Sequence, residues 1–372
     1  MIIHISFCVA FTRVVRALPT AQTRVEISKR IKKYKSAMAL RWGVAGAGRI
    51  SHDFVTAVQS AYPKDHKFTA VAARSQESAS KFAEEHDIPK GYEGYAKLAS
   101  DPEVDIVYVG NLNTQHFSTC KLMLEHGKHV LCEKPFTLNE KQTRRLIEIA
   151  RSKKLFIMEA VWSRCFPAYM EAKRIMDSGE IGDVMFASVH FGHALQHVER
   201  LTAVQMGGGA ILDLGVYMLQ FQQYVFRNLR PSKVSVNGHL NSAGTDESCG
   251  AVITYPDGKM AVVSTSARVS LPNEGVIVGT KGTLKLPDFW CPTKLITPNG
   301  VKEYPLPRSK VPYLHHNSAG LCYQAEEARK CIQSGQIECE HMTHAETIEL
   351  AMLMDLLRNE MGVVFPEDSQ EF

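Results

Sequence analysis

Short apolar runs alternate with longer segments of helical periodicity over the first part of this chain, from residue 40 to about residue 160. The apolar runs cover 40–45, 68–73, 104–109, 129–132 and 155–158. The helical segments between them cover 51–61, 77–86, 115–126 and 139–152. Strands and helices that alternate in this order are typical of a parallel sheet with helices on both faces. The pattern therefore predicts a doubly wound α/β domain over residues 39–160.

A different pattern follows after residue 160. Apolar and polar residues alternate in strand fashion over 184–191, 233–239, 250–255, 260–270, 275–280 and 282–286. Turns such as Pro256-Asp257-Gly258 separate these segments, as in antiparallel sheets. Helices are predicted over 210–224, 320–334 and 343–360. Because 372 residues suit two domains better than one, we predict a second, α+β domain with an open, mostly antiparallel sheet over 161–372.

The N-terminal segment differs from the rest of the chain in charge. Residues 1–37 hold eight basic residues and one acidic residue, a net charge of +7, so the remainder carries −3 of the formal total of +4. Without a basic surplus on the body of the protein, we expect no nucleic-acid partner. We predict that residues 1–38 form an extension outside the fold, either disordered or a weak mitochondrial presequence. The expected location is cytoplasmic, or mitochondrial if the presequence acts.

The cysteines and the apolar runs exclude two further classes of protein. No stretch approaches the roughly 18 consecutive apolar residues of a membrane helix, so we expect a soluble protein. The nine cysteines are dispersed, without a Cys-x-x-Cys pair, which favours reduced, buried thiols in an intracellular protein. Since no short-range cluster of cysteine and histidine has zinc spacing, we expect no metal site.

A glycine-rich turn joins the first predicted strand to the first predicted helix. Gly46 and Gly48 would let the backbone approach a pyrophosphate, whose charge the helix N-terminus binds, and Ser51 takes the third small position. Such a string alone fits an ordinary turn equally well, but its place in the first strand-helix unit predicts a dinucleotide site and a Rossmann domain. The expected contacts are Gly46, Ala47, Gly48, Arg49 and Ile50.

The end of the second predicted strand indicates which dinucleotide binds. An NAD site usually has an acidic residue here for the ribose hydroxyls, whereas this chain has Arg74 and Ser75. The planar guanidinium of an arginine can pair with a 2′-phosphate. We therefore predict NADP as the cofactor, the alternative being that Arg74 is an ordinary exposed loop residue.

Two polar side chains are candidates for chemistry. Lys134 follows the predicted strand 129–132 at the carboxyl edge of the sheet, where doubly wound proteins bind ligands. Pro135 could form a cis peptide that directs Lys134 into the cleft. Asp213 and Tyr217 are four residues apart and share one face of a predicted helix. From spacing alone, a core role is the better interpretation of Tyr217, and Asp213 fits a structural cap as well as a binding residue.

Four motifs in this order carry a family resemblance. They are the Gly-x-Gly loop, Asn113-x-x-His116, Gly127-Lys-His-Val-Leu-Cys-Glu133-Lys134-Pro135 and Asp213-x-Gly-x-Tyr217. From about residue 39 to the C-terminus, the chain resembles the glucose-fructose oxidoreductase/inositol dehydrogenase/rhizopine catabolism family. The resemblance implies that Lys134 and Tyr217 are catalytic. It further implies that Asn113, His116 and Glu133, together with Lys134, lie at the cofactor.

Segments around Trp162 and Phe191, and the choice of tyrosine at position 217, resemble one branch of that family more closely. This resemblance implies a homodimer that oxidises trans-dihydrodiols of aromatic hydrocarbons to catechols, and pentoses such as D-xylose to the lactone, with NADP⁺ accepting hydride. Trp162, Phe191 and Asp213 would then bind the substrate. Two alternatives are another sugar or inositol dehydrogenase of the same family, and a non-catalytic regulator that senses NADP(H).

The oxidation of an alcohol sets a requirement on the tyrosine. A base must take the hydroxyl proton while hydride leaves the same carbon, and the ordinary phenol pKa of about 10 is too high for this. A lysine cation about 4 Å away would contribute roughly 4 kcal/mol at an effective dielectric near 20, or about three pKa units. We therefore expect Lys134 to lower the pKa of Tyr217 toward neutrality, so that Tyr217 moves the proton.

Overall fold

A computed structural model describes residues 39–372 of the chain. The predicted extension over residues 1–38 lies outside the described residues. Residues 40–372 form one compact unit built on two sheets. Among residues 39–372, no helix is both long and apolar enough to cross a membrane.

The first sheet has six parallel strands in the order β3-β2-β1-β4-β5-β6. The strands are β1 (Leu40–Ala45), β2 (His66–Ala73), β3 (Gly91–Glu93), β4 (Ile106–Val109), β5 (His129–Cys132) and β6 (Ile157–Glu159). Helices α1 (Arg49–Ala61), α2 (Gln76–Glu85), α3 (Tyr95–Ser100), α4 (Asn113–Glu125) and α5 (Glu140–Lys153) connect them. This is the strand order of a dinucleotide-binding Rossmann sheet, so the predicted doubly wound fold is confirmed.

The second sheet has eight strands in the order β14-β13-β12-β11-β7-β10-β9-β8. They are β7 (Val184–Gly192), β8 (Lys233–Leu240), β9 (Asp246–Thr254), β10 (Met260–Ser266), β11 (Glu274–Gly279), β12 (Gly282–Pro287), β13 (Lys294–Thr297) and β14 (Gly300–Glu303). Every pair in this sheet is antiparallel except β7 with β10, which run parallel. The mostly antiparallel second sheet is therefore confirmed, although the predicted strand 260–270 already ends at Ser266.

Five helices accompany the second sheet. They are α6 (Pro167–Asp177), the short α7 (Glu199–Thr202), α8 (Val216–Val225), α9 (Leu321–Ser334) and α10 (His344–Met361). The predicted helix over 210–224 is divided: a π-helical turn over Ile211–Gly215 precedes α8. The last strand of the first sheet ends at Glu159 and the second sheet starts at Val184, and the domain boundary after residue 160 stays a prediction.

A fully buried arginine joins three elements close to Trp162. Arg164 lies in the 3₁₀ turn Trp162–Cys165, which follows β6. Its guanidinium donates to Gln220 on α8 at 2.7 Å and pairs with Glu346 on α10 at 3.0 Å. A buried charge is tolerated when it is paired and hydrogen-bonded in this way. The network therefore holds the turn that carries Trp162 against α8.

Candidate active site

Lys134 lies two residues beyond the carboxyl end of β5, at that edge of the first sheet. Its peptide bond to Pro135 is cis. The ammonium Nζ donates to the backbone oxygen of Asp213 at 2.8 Å and lies 3.5 Å from Asp213 Oδ1. The lysine of the first sheet is thereby fixed to the π-helical turn before α8.

Tyr217 lies in the first turn of α8 and is buried. The Nζ atom of Lys134 is 5.0 Å from the centroid of its ring, and Trp162 Nε1 donates to its hydroxyl oxygen at 2.8 Å. Three side chains that the sequence analysis singled out, at positions 134, 162 and 217, therefore meet in one place. Because Tyr217 accepts from Trp162, its own hydroxyl proton stays available for donation to a ligand.

Asp213 carries the negative charge of this cluster. Arg200 on α7 donates to Asp213 Oδ1 at 2.8 Å, the same oxygen that lies 3.5 Å from Lys134 Nζ. Burial alone would raise the pKa of Asp213, but the positive charges of Lys134 and Arg200 lower it to about 2. Asp213 is therefore ionised and orients Lys134, and any contact with a substrate stays a prediction. Arg200 was missed in the sequence analysis because no local pattern links it to a residue 13 positions away.

The structure corrects the expected pKa of Tyr217. Burial raises the pKa of Tyr217 well above its ordinary value, and the Glu133 carboxylate raises it further. A full charge about 5 Å away contributes roughly 3 kcal/mol at an effective dielectric near 20, about two pKa units, which burial outweighs. The Lys134 charge is also shared with Asp213. The expectation of a phenol titrating near neutrality was therefore wrong for this state, in which Tyr217 is a neutral proton donor.

An aromatic wall stands next to Tyr217. The ring of Phe191, at the end of β7, lies 5.3 Å from the Tyr217 ring and 4.8 Å from the Trp290 ring, centroid to centroid. The half-buried His193 packs 5.2 Å from Phe191, and burial lowers its pKa. Trp290 and His193 extend the wall beyond the two predicted aromatics. A contiguous aromatic surface beside a hydroxyl donor suits a flat, largely apolar ligand that carries a hydroxyl group.

The predicted phosphate turn has the space and the free amides for a dinucleotide. Gly46 has a φ of +107°, and a Cβ there would lie 2.8 Å from the backbone nitrogen of Asn111, so only glycine fits. Gly48 begins α1 in extended conformation, and no side chain among residues 39–372 caps this helix end. Ser51 Oγ is buried without a partner in the described part of the chain. An open helix N-terminus beside a glycine cradle binds phosphate, so these residues fit the cofactor.

The remaining residues of the turn and the end of β2 lie around this cradle. Arg49 is exposed and Ala47 and Ile50 are partly buried. Arg74 follows β2 with an exposed side chain, and Ser75 caps α2 by accepting from Ser78. An exposed guanidinium at this position leaves its donors free for an anionic ligand.

Two other predicted cofactor residues, Asn113 and Glu133, have different surroundings. Asn113 begins α4, and its amide donates to the Gly207 oxygen at 2.9 Å, which joins the first sheet layer to the glycine-rich turn before Asp213. Glu133 is buried and accepts from the Tyr108 hydroxyl at 2.7 Å, and burial raises its pKa. Their contacts with a cofactor stay predictions.

His116 is almost fully buried and lies between two backbone carbonyls. Its Nδ1 is 2.8 Å from the Pro135 oxygen and its Nε2 is 3.2 Å from the Asn111 oxygen. Burial lowers its pKa to about 4, so the ring is neutral at physiological pH. His116 thus lies between the loops after β4 and β5, where the neutral ring can donate to one of the two carbonyls. Its direct contact with a cofactor stays a prediction.

The lowered pKa of His116 predicts that the folded protein loses stability in acid. The unfolded chain has the ordinary pKa of 6.5 and the folded chain a pKa of about 4, so the unfolded chain binds the proton more tightly. The stabilisation is complete above pH 6.5 and is lost as the pH falls to 4, by up to about 3 kcal/mol at 1.4 kcal/mol per pKa unit. Urea unfolding of the wild type and His116→Gln at pH 7 and 4.5 measures this. We expect a smaller loss in the variant, and equal losses would contradict the assignment.

Two family descriptions match this chain. The description "oxidoreductase family, NAD-binding Rossmann fold" of the GFO/IDH/MocA proteins matches residues 40–161. The description "GFO/IDH/MocA C-terminal domain" matches residues 169–285. The first match contains the glycine turn, Arg74 and Lys134, and the second contains Phe191, Asp213 and Tyr217.

One curated relative and two solved structures illustrate the similarity. A trans-1,2-dihydrobenzene-1,2-diol dehydrogenase from Danio rerio is 42% identical over 335 residues, covering 90% of this chain and 100% of that protein. The aldose-aldose oxidoreductase from Caulobacter crescentus, complexed with glycerol, has a TM-score of 0.74 at 19% identity and covers 87% of this chain and 98% of its own. A 3-ketoreductase from Actinomadura kijaniata, complexed with NADP and TDP-benzene, has a TM-score of 0.71 at 23% identity, covering 86% and 97%. Both structures share the fold of this chain.

Proposed function

Because the chain belongs to the GFO/IDH/MocA oxidoreductase family, we propose that it is an NADP-dependent dehydrogenase for trans-dihydrodiols of aromatic hydrocarbons and for pentoses such as D-xylose. The dihydrodiol would lose hydride and a proton and yield the catechol after tautomerisation, and the pentose would yield the lactone. The observation that carries the proposal is the meeting of Lys134 and Tyr217 beside an aromatic wall. The name of the Danio rerio relative supports the dihydrodiol as substrate.

The cofactor supplies the hydride acceptor. The residues proposed to hold it are Gly46, Ala47, Gly48, Arg49, Ile50, Arg74, Ser75, Asn113, His116, Glu133 and Lys134. The glycine cradle and the open N-terminus of α1 would bind the pyrophosphate. The exposed Arg74 would pair with the 2′-phosphate that distinguishes NADP from NAD. NADP in the 3-ketoreductase structure supports this choice of cofactor.

Tyr217 and Lys134 divide the proton chemistry. We assign to Tyr217 the transfer of the hydroxyl proton, since its hydroxyl already accepts from Trp162 and has one remaining site for a substrate oxygen. The neutral phenol can donate a hydrogen bond to the substrate oxygen, but because burial raises its pKa it holds its proton tightly and must lose it before it can act as the base of the oxidation. Lys134 supplies the positive charge that stabilises the phenolate when it forms. Asp213 holds the ammonium in place by two contacts.

Trp162 and Phe191 are proposed to bind the substrate ring. Phe191 packs against the rings of Tyr217, Phe289 and Trp290, so it is held rigidly as part of the wall. Trp162 has its indole N–H engaged by Tyr217 and offers an apolar face. Such a surface favours a cyclohexadiene ring over a pentose, which carries hydroxyl groups on most of its carbons. We therefore expect tighter binding of dihydrodiols than of sugars.

The proposed cofactor preference leads to a prediction on Arg74. Replacing Arg74 with aspartate removes a cation and places an anion next to the 2′-phosphate of NADP. NAD-dependent proteins usually have an acidic residue at this position, where it binds the ribose hydroxyls. The ratio of kcat/KM for NADP⁺ to that for NAD⁺ should fall by about 10² or more, since charge-assisted bonds are worth 1.5–3 kcal/mol and repulsion adds to their loss. Lys81 is exposed on α2 beyond the first turn, and Lys81→Asp is the matched control. An unchanged ratio in the Arg74 variant would contradict the assignment.

Steady-state kinetics test the proposed function as a whole. Benzene dihydrodiol and D-xylose are each offered with NADP⁺ and with NAD⁺, and the absorbance of reduced nicotinamide is followed. We expect turnover of both substrates with NADP⁺ and a lower KM for the dihydrodiol. Turnover of other sugars or of inositol alone would favour the alternative dehydrogenase. Binding of NADP(H) without turnover of any substrate would favour a sensing regulator.

We also propose that the protein is a cytoplasmic homodimer. The outward face of the second sheet carries apolar side chains such as Val252, which is 40% exposed on β9. Burial of this face against a second copy would remove those side chains from water. Sedimentation equilibrium distinguishes one chain of 41.5 kDa from two, and a monomer at micromolar concentration would refute the pairing.

A further inference from the structure

Three potential metal ligands meet on the first sheet layer, away from Lys134 and Tyr217 in sequence. His52 lies in the first turns of α1, Glu85 is the last residue of α2, and His86 follows it. One ligand atom from each of the three side chains lies within 4.8 Å of the other two. Nothing in the chemistry proposed above uses these residues.

The surroundings of His52 resemble those of a metal-ligating histidine. Its Nε2 is 3.3 Å from the backbone oxygen of Pro312, and its Nδ1 is 3.1 Å from Glu85 Oε1. A proton on Nε2 for the carbonyl leaves a lone pair on Nδ1, which then faces a carboxylate oxygen. Two acceptors at this distance repel each other unless a cation lies between them or the ring is charged. Metal-bound histidines typically donate their other N–H to a carbonyl in this way.

His86 contributes a second imidazole that lacks a full set of partners. The side chain is 5% exposed, and its Nε2 has no hydrogen-bond partner among the described residues. The rings of His52 and His86 are 4.8 Å apart, centroid to centroid. Leaving a buried nitrogen without a partner is unfavourable, and a ligand would remove that penalty.

We propose that His52, Glu85 and His86 bind a divalent transition-metal ion, with Zn²⁺ as the best match. Two imidazoles and one carboxylate form a ligand set that zinc accepts, with water completing the coordination. Bonds of about 2.0–2.2 Å place neighbouring ligand atoms about 3.3–3.6 Å apart around a tetrahedral ion, slightly more than the 3.1 Å between His52 Nδ1 and Glu85 Oε1. The exposed Glu85 side chain can move to close the site. A bound ion would cross-link α1 to α2.

The spacing of the ligands explains why the sequence does not reveal this site. His52 and His86 lie 34 positions apart, and the rest of α1, strand β2 and the whole of α2 lie between them. Zinc motifs that can be recognised in sequence have ligand pairs a few residues apart. The parallel sheet brings α1 and α2 to neighbouring positions, and only this packing brings the ligands together.

Zinc binding to the full-length protein tests the proposal. The protein is treated with a chelator and titrated with Zn²⁺ in competition with a chromophoric chelator, and its melting temperature is measured with and without Zn²⁺. We expect one tight equivalent of Zn²⁺ and a higher melting temperature, because an ion that binds the folded state stabilises it. Glu85→Gln should weaken binding by about 10-fold, and His86→Phe by about 100-fold or more. If His86→Phe fails to fold, the exposed Glu85→Gln still decides.

The end of α4 offers matched controls. Glu125 and His126 have the same sequence and the same place at a helix C-terminus as Glu85 and His86, but no third ligand completes a group with them in the described part of the chain. Glu125→Gln and His126→Phe should therefore leave the tight equivalent unchanged. Wild-type affinity in Glu85→Gln would overturn the proposal, and so would the absence of a tight equivalent of Zn²⁺ in the wild type. So would a thiolate charge-transfer band with Co²⁺, since it would place the ion on cysteine.

Discussion

Replacing Tyr217 with phenylalanine is expected to lower turnover of the dihydrodiol by about 10² or more, because the variant lacks the group that moves the hydroxyl proton. The ring is retained, so its packing against Phe191 at 5.3 Å should persist. The indole N–H of Trp162 would lose its buried acceptor, at a cost of about 1–3 kcal/mol in the free energy of unfolding. Stopped-flow and steady-state kinetics with NADP⁺ measure the first effect, and urea unfolding measures the second.

Tyr224 provides the control for this variant. It lies on the same helix, is buried, and donates its hydroxyl to the backbone oxygen of Tyr169 at 2.7 Å. Tyr224→Phe therefore removes one buried hydrogen bond from α8 without touching Lys134. We expect it to lose stability and keep turnover within a few-fold of the wild type. Turnover of Tyr217→Phe at the level of Tyr224→Phe would refute the role of Tyr217.

Lys134→Met should lower kcat by about 10²–10³, since the variant removes the cation that stabilises developing negative charge on the phenol. Methionine preserves the length and the apolar part of the side chain. Among residues 39–372, Asp213 would keep only Arg200 as a cationic partner, so its orientation should also become less defined. The KM for substrate should change less than kcat, because the interaction that is lost is strongest in the transition state. Kinetics with saturating NADP⁺ separate the two parameters.

Lys128 is the matched control at the other end of the same strand. It precedes β5, is also largely buried, and donates to the Val104 backbone oxygen at 2.8 Å. Lys128→Met removes a buried ammonium that has no contact with Tyr217, so it should destabilise the protein while leaving kcat nearly unchanged. Equal losses of kcat in the two lysine variants would indicate that Lys134 acts through the fold alone.

The two sheets were predictable to different degrees, for a physical reason. The central strands of the first sheet are buried on both faces, as in β4, where every residue is buried, so they appear in the sequence as continuous apolar runs. Strand β14 is exposed along its whole length, and strand β3 has two partly buried residues and one exposed residue. Neither strand has an apolar pattern, and both were missed. Helix α6, which begins at Pro167, was also missed, and no element was predicted over this segment.

The amino-acid sequence was enough to identify the doubly wound sheet and the glycine turn. It was also enough to place Arg74 after the second strand and Lys134 at the carboxyl edge of the sheet. These features depend on local periodicity and on the fixed direction of parallel strands, both of which are written along the chain. The tertiary structure alone decided that Tyr217 is a neutral phenol, that Arg200 shares Asp213 with Lys134, and that Trp290 extends the aromatic wall. Burial and charge at a point depend on groups brought there from distant parts of the chain, and no local pattern contains that information.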